Sequence, residues 1–480
     1  MKLPTQKTKI VCTIGPASRS HTILKRMIQS GMSVARVNMA HGEIHTQKEN
    51  IRRIRSAATR LNRPVSILID LPGPKIRIGK LQSEGLTLRK GARVTLTTRD
   101  VPGTAALLPV EYPDFPRSVY KRGIVYLNDG FIQLRVMDIS DDDVICRVLV
   151  GGSLFSHKGL NLPKSKLAPD AVTEKDLELL SFGLEQGVDI FGLSFVEKAQ
   201  DIVKVKEFAQ SKGKSIRVVA KIERAEAVRN IDSILEVADA IMIARGDLGV
   251  QMPMQDVPMI QKRLIRKANL RGRPVITATQ MLESMVGNVR PTRAEATDVA
   301  NAILDGTDAV MLSEETAVGK YPVETVKTMS RIAMSVERQR GSIRLSSDVE
   351  EYFRRGDGRK RISVEDVVSL NVVDALRALR IRFVLIPTLG GSTPRRVSRF
   401  KPDCWILAFC HSEAMCRFLT LSYGVAPVML SDKVDNWHNL MLQFMRDSRL
   451  AKVGDKVVLA EGMSVGQFDG ADSMRIAAVN

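Results

Sequence analysis

The chain is 480 residues long, 44% hydrophobic and 26% charged, which excludes a wholly disordered chain, a collagen and a small disulfide scaffold and predicts roughly two to four domains. Lys+Arg 72 against Asp+Glu 53 leaves a net charge of +19, which suits anionic partners, either nucleic acid or phosphorylated metabolites. Aromatic residues make up only 5%, too few to favour a platform that stacks on single-stranded bases.

From the N-terminus, short apolar segments alternate with helical ones. Residues 9–14 (KIVCTI) read as a strand closed by Gly15-Pro16, 21–29 as a helix with Ile23, Leu24, Met27 and Ile28 at helical spacing, and 33–37 (SVARV) as the next strand. A basic amphipathic helix at 49–61 leads to a third strand, 65–69 (VSILI), ending at Asp70. This repeating β-α unit favours a parallel sheet covered by helices. From 78 to 160 the pattern changes to short strands at 86–88, 93–98, 124–127, 132–136 and 144–150, a small β domain inserted into the series. The alternation resumes with a helix at 173–186, opened by the capping-box pair Thr173 and Asp176. Strands follow at 188–192, 216–222, 240–243, 275–278 and 309–312, with helices at 201–210, 257–269 and 293–304. The strands on both sides of the insertion total about eight, the number of a closed (β/α)8 barrel.

Residues 341–360 are polar and charged and read as a linker or loop. A C-terminal α/β domain, 361–480, follows, with helices at 364–379, 394–399, 414–423 and 439–450 and strands at 383–386, 405–409, 426–430 and 456–460. The barrel is thus expected in two parts, 1–77 and 161–340, around the insertion. Five cysteines (Cys12, Cys146, Cys404, Cys410, Cys416) form no Cys-x-x-Cys pair, the usage of a reducing compartment. No signal-peptide pattern and no run of about 18 apolar residues occurs, so the expectation is a cytoplasmic protein without a membrane partner.

Barrel chemistry belongs at the strand C-terminal ends, where polar residues recur: Arg36 and Asn38, Asp70, Ser194, Lys221 and Glu223, Arg245 to Asp247, Thr279 and Ser313. Lys221 and Glu223 point to the same side of a strand. A lysine can neutralise a transferring phosphoryl group and a glutamate can hold a divalent ion, although a salt bridge at a strand exit is the plainer reading of that pair alone. In Ala244-Arg245-Gly246-Asp247 a carboxylate can complete a magnesium site with Glu223, and the amides opening the next helix can hold an anion. In isolation the same segment is a structural Gly-Asp turn.

Several segments, in order, resemble the pyruvate kinase family: TKIVCTIGPAS (8–18), MSVARVNMAHG (32–42), KGLNLP (158–163), AKIERAEA (220–227), ARGDLGV (244–250), ITATQMLESM (276–285) and RPTRAEATDVANAILDGTDAVMLSEETAVGKYP (290–322). The likeness runs over essentially the whole chain. It implies a TIM barrel with an inserted β-barrel lid and a C-terminal effector-type α/β domain. It also implies phosphoryl transfer from phosphoenolpyruvate to ADP, giving pyruvate and ATP, with Mg2+ or Mn2+, in a homotetramer. On the matching positions it implies that Lys221 stabilises the moving phosphoryl group and that Glu223 and Asp247 ligate the divalent ion. Ala244, Arg245 and Gly246 would seat the substrate carboxylate through backbone N–H groups, and Thr279 would stand beside the enolate carbon. Arg36 would contact the phosphate, Arg77 the nucleotide phosphates, and Asn38, Asp70 and Ser194 would support the pocket. Pro16, His41 and Lys158 would lie on the nucleotide side, with lid hinges near 72–77 and 161–163.

Three departures from the family pattern stand out. Where the family usually reads Asp-Thr-Lys-Gly-Pro-Glu-Ile-Arg-Thr, this chain has Asp70-Leu71-Pro72-Gly73-Pro74-Lys75-Ile76-Arg77-Ile78, and Ala40 replaces the usual serine after Asn38. Oxygen ligands for potassium are lost and an ammonium is gained, which resembles the potassium-independent branch. Lys75, near Asn38 and Asp70, is the expected stand-in for the ion, and K+ is not expected to be required. Glu314-Glu315 replaces the family's usual Gly-Glu. In the C-terminal domain, Thr388, Gly390, Gly391, Ser392 and Thr393 with Arg395 have the make-up of a phosphate cradle, with glycine at 390 where serine is common. A sugar-phosphate or AMP effector is the ligand class this implies. Two other readings compete: an enolate-handling aldolase or lyase barrel, which would not need the insertion or third domain, and a nucleic-acid binder, suggested by charge alone.

Overall fold

The structure, a computed structural model, describes residues 3–128, 130–162, 170–340, 348–355, 362–430, 437–462 and 471–479. Eight strands, β1 (Lys9–Thr13), β2 (Met32–Asn38), β3 (Ser66–Leu71), β4 (Ile190–Leu193), β5 (Arg217–Ile222), β6 (Ala240–Ala244), β7 (Val275–Ala278) and β8 (Ala309–Leu312), close into a barrel in chain order. Every neighbouring pair is parallel, including β8 against β1. Strand alternation splits the apolar residues into two sets. Val11, Val34, Leu68, Val219, Met242 and Ile276 pack inside the ring, while Ile10, Ala35, Ile69, Val218 and Ile243 pack with helix residues such as Leu24 and Ile51. Burial on both faces is why these strands are near-continuous apolar runs.

Local chemistry sets the helix starts. The helix Glu174–Glu185 is capped by Thr173, and both halves of the capping box with Asp176 are present. The helix expected at 49–61 begins earlier, as Ile44–Arg60. Its first turn carries one exposed apolar residue, Ile44, and no apolar period, but Gln47 donates to the His41 carbonyl at 2.7 Å and anchors it. A 19-residue helix, Pro322–Arg340, has no counterpart in the sequence reading. Its Glu337 accepts the backbone N–H groups of Lys7 (2.9 Å) and Thr8 (2.7 Å), fixing the approach to β1.

The insertion forms a six-stranded sheet in the order Leu160–Asn161, Ile124–Leu127, Ile132–Ile139, Asp143–Val150, Arg93–Thr97, Leu107–Pro109, beside a two-stranded ribbon of Leu86–Leu88 and Gly152–Leu154. One core containing Val94, Leu96, Phe115 and Leu134 joins them. At its root two chain segments run antiparallel: Arg77 bridges Gly159, and the Leu160 N–H donates to the Ile76 carbonyl at 2.9 Å. Pro163, in the second expected hinge, lies outside the described residues.

The stretch expected as a linker or loop contains an α-helix, Asp348–Arg355. Val349 and Phe353, one helical turn apart, are buried, and the Phe353 ring lies 3.8 Å from the Arg399 guanidinium carbon. One apolar pair in a charged segment leaves almost no periodic signal. The remainder of 341–360 lies outside the described residues. Beyond it, β9 (Phe383–Pro387), β10 (Trp405–Cys410), β11 (Val425–Met429), β12 (Lys456–Glu461) and β13 (Ser473–Ala478) form one sheet in the order β11-β10-β9-β12-β13. Only β13 is antiparallel to its neighbour, and the sequence reading did not contain it. The helix expected at 414–423 spans Glu413–Leu419, with Ser412 as its cap.

This domain covers the N-terminal ends of the barrel strands. Lys9 Nζ donates to the Val425 carbonyl (2.6 Å), Ser66 Oγ to the Arg417 carbonyl (2.6 Å), and Asp308 accepts the Tyr423 N–H (2.9 Å). Arg417 also pairs with Asp189 at 2.8 Å. The C-terminal ends stay available for a site. No described helix is long and apolar enough to cross a membrane.

Candidate active site

The residues expected at the strand ends meet in one place. Arg36 and Asn38 lie near the end of β2, and Asp70 of the neighbouring β3 is the register partner of Asn38. The Arg36 Nε donates to Asp70 Oδ2 at 2.6 Å and its Nη1 to Thr13 Oγ1 at 2.9 Å. From β5, Lys221 Nζ lies 2.8 Å from Glu223 Oε1 and 3.4 Å from Asp70 Oδ1, and donates to Ser194 Oγ at 2.6 Å. Ser194 in turn donates to the Leu71 carbonyl at 2.7 Å. Asp70, Ser194 and Glu223 are buried. Burial pushes the Asp70 carboxyl up, but Lys221 and then Arg36 outweigh it and hold it below the usual carboxylate range. Burial likewise works against the Lys221 ammonium, and Asp70 and Glu223 more than offset it, so its pKa is raised. The result is a fixed cation among carboxylates, charged at neutral pH.

Glu223 accepts the Phe195 N–H at 2.7 Å on its other oxygen, which fixes the carboxylate plane. Asp247 is close enough to act electrostatically on Lys221. Two carboxylates flanking one cation are hard oxygen donors, and two such ligands with substrate oxygens and water satisfy Mg2+. Among the described residues no cluster of three His, Cys, Asp or Glu forms a self-sufficient metal cage. The donor set therefore fits an ion shared with a substrate.

β6 ends at Ala244, and a helix, Arg245–Gln251, starts at once. The first amides of a helix have no intrahelical acceptor. Here the Gly246 N–H donates to Thr279 Oγ1 at 2.8 Å. The Arg245 side chain turns to support the structure instead: it donates to the Ala278 carbonyl (3.2 Å), the Thr279 carbonyl (2.8 Å) and Asp298 (2.7 Å). Thr279 and Gln280 have φ of 68° and 52°, a left-handed backbone that is rare for a β-branched residue. Sequence reasoning missed Asp298; a carboxylate on the inward side of helix Arg293–Leu304 was the available signal.

The nucleotide-side residues are placed as follows. Arg77 donates to the His157 carbonyl at 2.9 Å, at the root of the insertion. Pro16 and His41 are exposed, while Asn38 and Lys158 are half-buried. Partial loss of hydration, then Arg77, Lys75 and Arg36, push the His41 imidazole down against Glu314, so these charges share one region. Asn38 Oδ1 accepts the Ala40 N–H at 3.2 Å. No hydrogen bond or ion pair joins Lys75 to Asn38 or Asp70 among the described residues. A Cβ built on Gly159 would meet Lys75 Cε at 2.9 Å, so the lysine lies against the root of the insertion. Glu314 is exposed, whereas Glu315 is buried and accepts the N–H groups of Ser313 (2.6 Å) and Leu282 (3.1 Å), tying β8 to the segment after β7.

In the C-terminal domain the loop from Thr388 to Thr393 opens the helix Ser392–Ser398. Gly391, at φ 72°, donates its N–H to Thr388 Oγ1 (2.9 Å), and Arg395 Nε donates to the Gly391 carbonyl (2.9 Å). Arg396 pairs with Asp366 at 2.6 Å.

Family models described as the pyruvate kinase barrel domain and the pyruvate kinase alpha/beta domain match residues 5–326 and 366–477. The chain belongs to the pyruvate kinase family. It is 49% identical to a pyruvate kinase of Thermococcus litoralis over 99% of each chain. It is 40% identical to one of Geobacillus stearothermophilus and 42% identical to pyruvate kinase 2 of Synechocystis, in each case over 99% of this chain and 81% and 79% of the relative. The TIM-barrel and α/β architecture expected from the β-α alternation is that of this family.

Proposed function

We propose that this protein transfers the phosphoryl group of phosphoenolpyruvate to ADP, the pyruvate- and ATP-forming step that ends glycolysis. The observation that carries this reading is the Lys221 ammonium, held 2.8 Å from Glu223 and 2.6 Å from Ser194 at the barrel's open end, beside Arg36 and Asp70. Negative charge develops on the phosphoryl oxygens during transfer, and preorganised cations there lower the barrier. Lys221 neutralises the moving group, and Arg36, braced by Asp70 and Thr13, holds it in line. The backbone N–H groups of Ala244, Arg245 and Gly246 seat the substrate carboxylate, the Gly246 N–H exchanging Thr279 Oγ1 for it. Thr279 Oγ, between the Gly246 N–H and the Ala278 carbonyl, stands where a proton is delivered to the enolate carbon.

Glu223 and Asp247 would hold Mg2+ or Mn2+, which supplies positive charge to the enolpyruvate and phosphoryl oxygens. Asn38 and Ser194 support the pocket. Arg77 and Lys158, at the root of the insertion, and Pro16 and His41 serve the nucleotide. The insertion, 78–160, acts as a lid that excludes water and prevents wasteful hydrolysis. Lys75 supplies the charge a monovalent cation would bring, so K+ is not required. The loop holding Thr388, Gly390, Gly391, Ser392, Thr393 and Arg395 takes a sugar phosphate or AMP as effector. A cytoplasmic homotetramer completes the reading.

The test is an assay of pyruvate and ATP from phosphoenolpyruvate, ADP and Mg2+ in a tetraalkylammonium buffer free of Na+ and K+. Equimolar products without added K+ are expected. Products that appear only with K+ would remove the role of Lys75, and no product with either divalent ion would remove the reaction.

A further inference from the structure

One carboxylate ties together the chain on either side of the insertion. The chain leaves β3 through Pro72-Gly73-Pro74, and the first barrel helix after the insertion is Glu174–Glu185. Asp176, in the first turn of that helix, is fully buried. Its Oδ2 accepts the Thr173 N–H at 2.9 Å and the Thr173 hydroxyl at 2.6 Å, which completes the helix cap. Its Oδ1 takes no part in the cap and accepts the Gly73 N–H at 3.0 Å instead. Proline has no N–H, so this is the one backbone donor that Pro72-Gly73-Pro74 can offer.

Gly73 in turn presses on the segment after β4. It has φ 64°, and a Cβ there would meet Phe195 Cδ2 at 2.8 Å and Ser194 Cβ at 3.0 Å. Those two residues hold the proposed machinery. Ser194 Oγ accepts from Lys221 and donates to the Leu71 carbonyl, and the Phe195 N–H donates to Glu223. Phe195 has little room to yield: it is buried, its backbone is left-handed at φ 55°, and the Arg224 guanidinium carbon lies 5.1 Å from its ring. Close-packed interiors transmit displacements rather than absorb them.

We propose that Asp176 is a positioning residue. It fixes the pivot of the insertion at Gly73, and Gly73, through Ser194 and Phe195, sets the insertion's position against Lys221 and Glu223. The inference rests on the reading of the insertion as a lid over a phosphoryl-transfer site. A carboxylate is a stronger acceptor than a neutral group, and the cap holds this one in a single orientation. With the anchor removed, Pro72-Gly73-Pro74 shifts away from Ser194 and Phe195. Arg77, four residues on, and Lys158, whose carbonyl accepts the Ile78 N–H at 3.0 Å, then meet the nucleotide out of place. Water reaches the phosphoryl group while Lys221 and Glu223 still bind phosphoenolpyruvate. The bond from phosphorus to the enolate oxygen breaks, one from phosphorus to the water oxygen forms, and a water proton ends on the enolate carbon. The products are pyruvate and inorganic phosphate, without ATP.

The test follows pyruvate and ATP separately, from phosphoenolpyruvate, ADP and Mg2+, in full-length wild type, Asp176→Ala and Thr173→Val. Thr173→Val weakens the cap but leaves Asp176 on Gly73, so a lower Tm with equimolar products is expected. Asp176→Ala forms pyruvate in excess of ATP, with the KM for ADP raised about tenfold and the KM for phosphoenolpyruvate changed less than about twofold. Should the alanine variant fail to fold, Asp176→Glu gives the same split: glutamate suits the capping position but carries its carboxylate past Gly73. Hydrogen exchange at the Gly73 amide is faster in the Asp176 variants and unchanged in Thr173→Val. The inference is overturned if the Asp176 variants lose Tm alone, with equimolar products and the wild-type KM for ADP, or if Thr173→Val shows the same excess of pyruvate. A wild type that forms neither product removes the phosphoryl-transfer reading and this inference with it.

Discussion

Arg245 holds Thr279 by its main chain. The guanidinium donates to the Thr279 carbonyl at 2.8 Å and is itself held by Asp298 at 2.7 Å, while Thr279 sits at φ 68°. A strained backbone of this kind costs on the order of 1–3 kcal/mol and persists where its surroundings over-determine it. The Arg245 side chain therefore braces the site, and the substrate contact proposed for this residue is its backbone N–H.

Replacing Arg245 with Lys removes the forked contacts to two carbonyls and Asp298 without removing the charge. Thr279 then relaxes, and kcat falls by about 10–10²-fold with little change in the KM for ADP. Steady-state kinetics with each substrate varied separates these terms. An unchanged kcat would show that Thr279 needs no such support.

Glu223→Gln and Asp247→Asn each remove one anionic oxygen donor. The Mg2+ concentration for half-maximal activity should rise about tenfold or more in each. A metal titration at saturating substrates checks this; an unaltered Mg2+ requirement in both variants would place the ion elsewhere.

Lys9 gives a pH signature at the opposite end of the barrel. Burial lowers its pKa to about 8, against smaller upward pulls from Glu337 and Asp308; in the unfolded chain it is about 10.4. Between those values the unfolded chain binds more protons, so this group adds stability as pH rises. The Tm of the wild type relative to Lys9→Met should increase from about pH 7.5 to about pH 9.5. A flat difference would mean that Lys9 titrates normally.

Gly391 and Gly91 separate strain from crowding. Both have positive φ, but a Cβ on Gly391 would meet Met415 Sδ at 2.6 Å, whereas Gly91 has nothing within 4 Å. Gly391→Ala should destabilise by about 2–4 kcal/mol and Gly91→Ala by about 1 kcal/mol. Thermal unfolding of the two variants measures the gap; equal losses would mean that the Met415 contact yields freely.

The barrel was legible because its signal is local and repeated: β5 and β6 are apolar runs that end in Lys-x-Glu and Arg-Gly-Asp. Arg36, Asp70, Ser194, Lys221 and Glu223 could be read together because strand ends of one barrel converge. Contacts that depend on side-chain direction were not legible. Nothing in the sequence says that Arg245 turns toward Asp298, that Asp176, read as a capping residue, also accepts the Gly73 N–H at 3.0 Å, or that Lys75 lies against Gly159. The helix Asp348–Arg355 was hidden because two buried apolar residues in a charged stretch carry no period, and β13 because its pattern (SMRIAA) is short and half-exposed.

The central claim is that Lys221 carries the phosphoryl transfer. The most direct measurement is the rate of ATP formation from phosphoenolpyruvate and ADP by wild type and by Lys221→Ala, with the fold of both verified by circular dichroism. The account predicts a loss of about 10³-fold or more in kcat. A variant within about tenfold of the wild type would contradict it and move the chemistry away from this cluster.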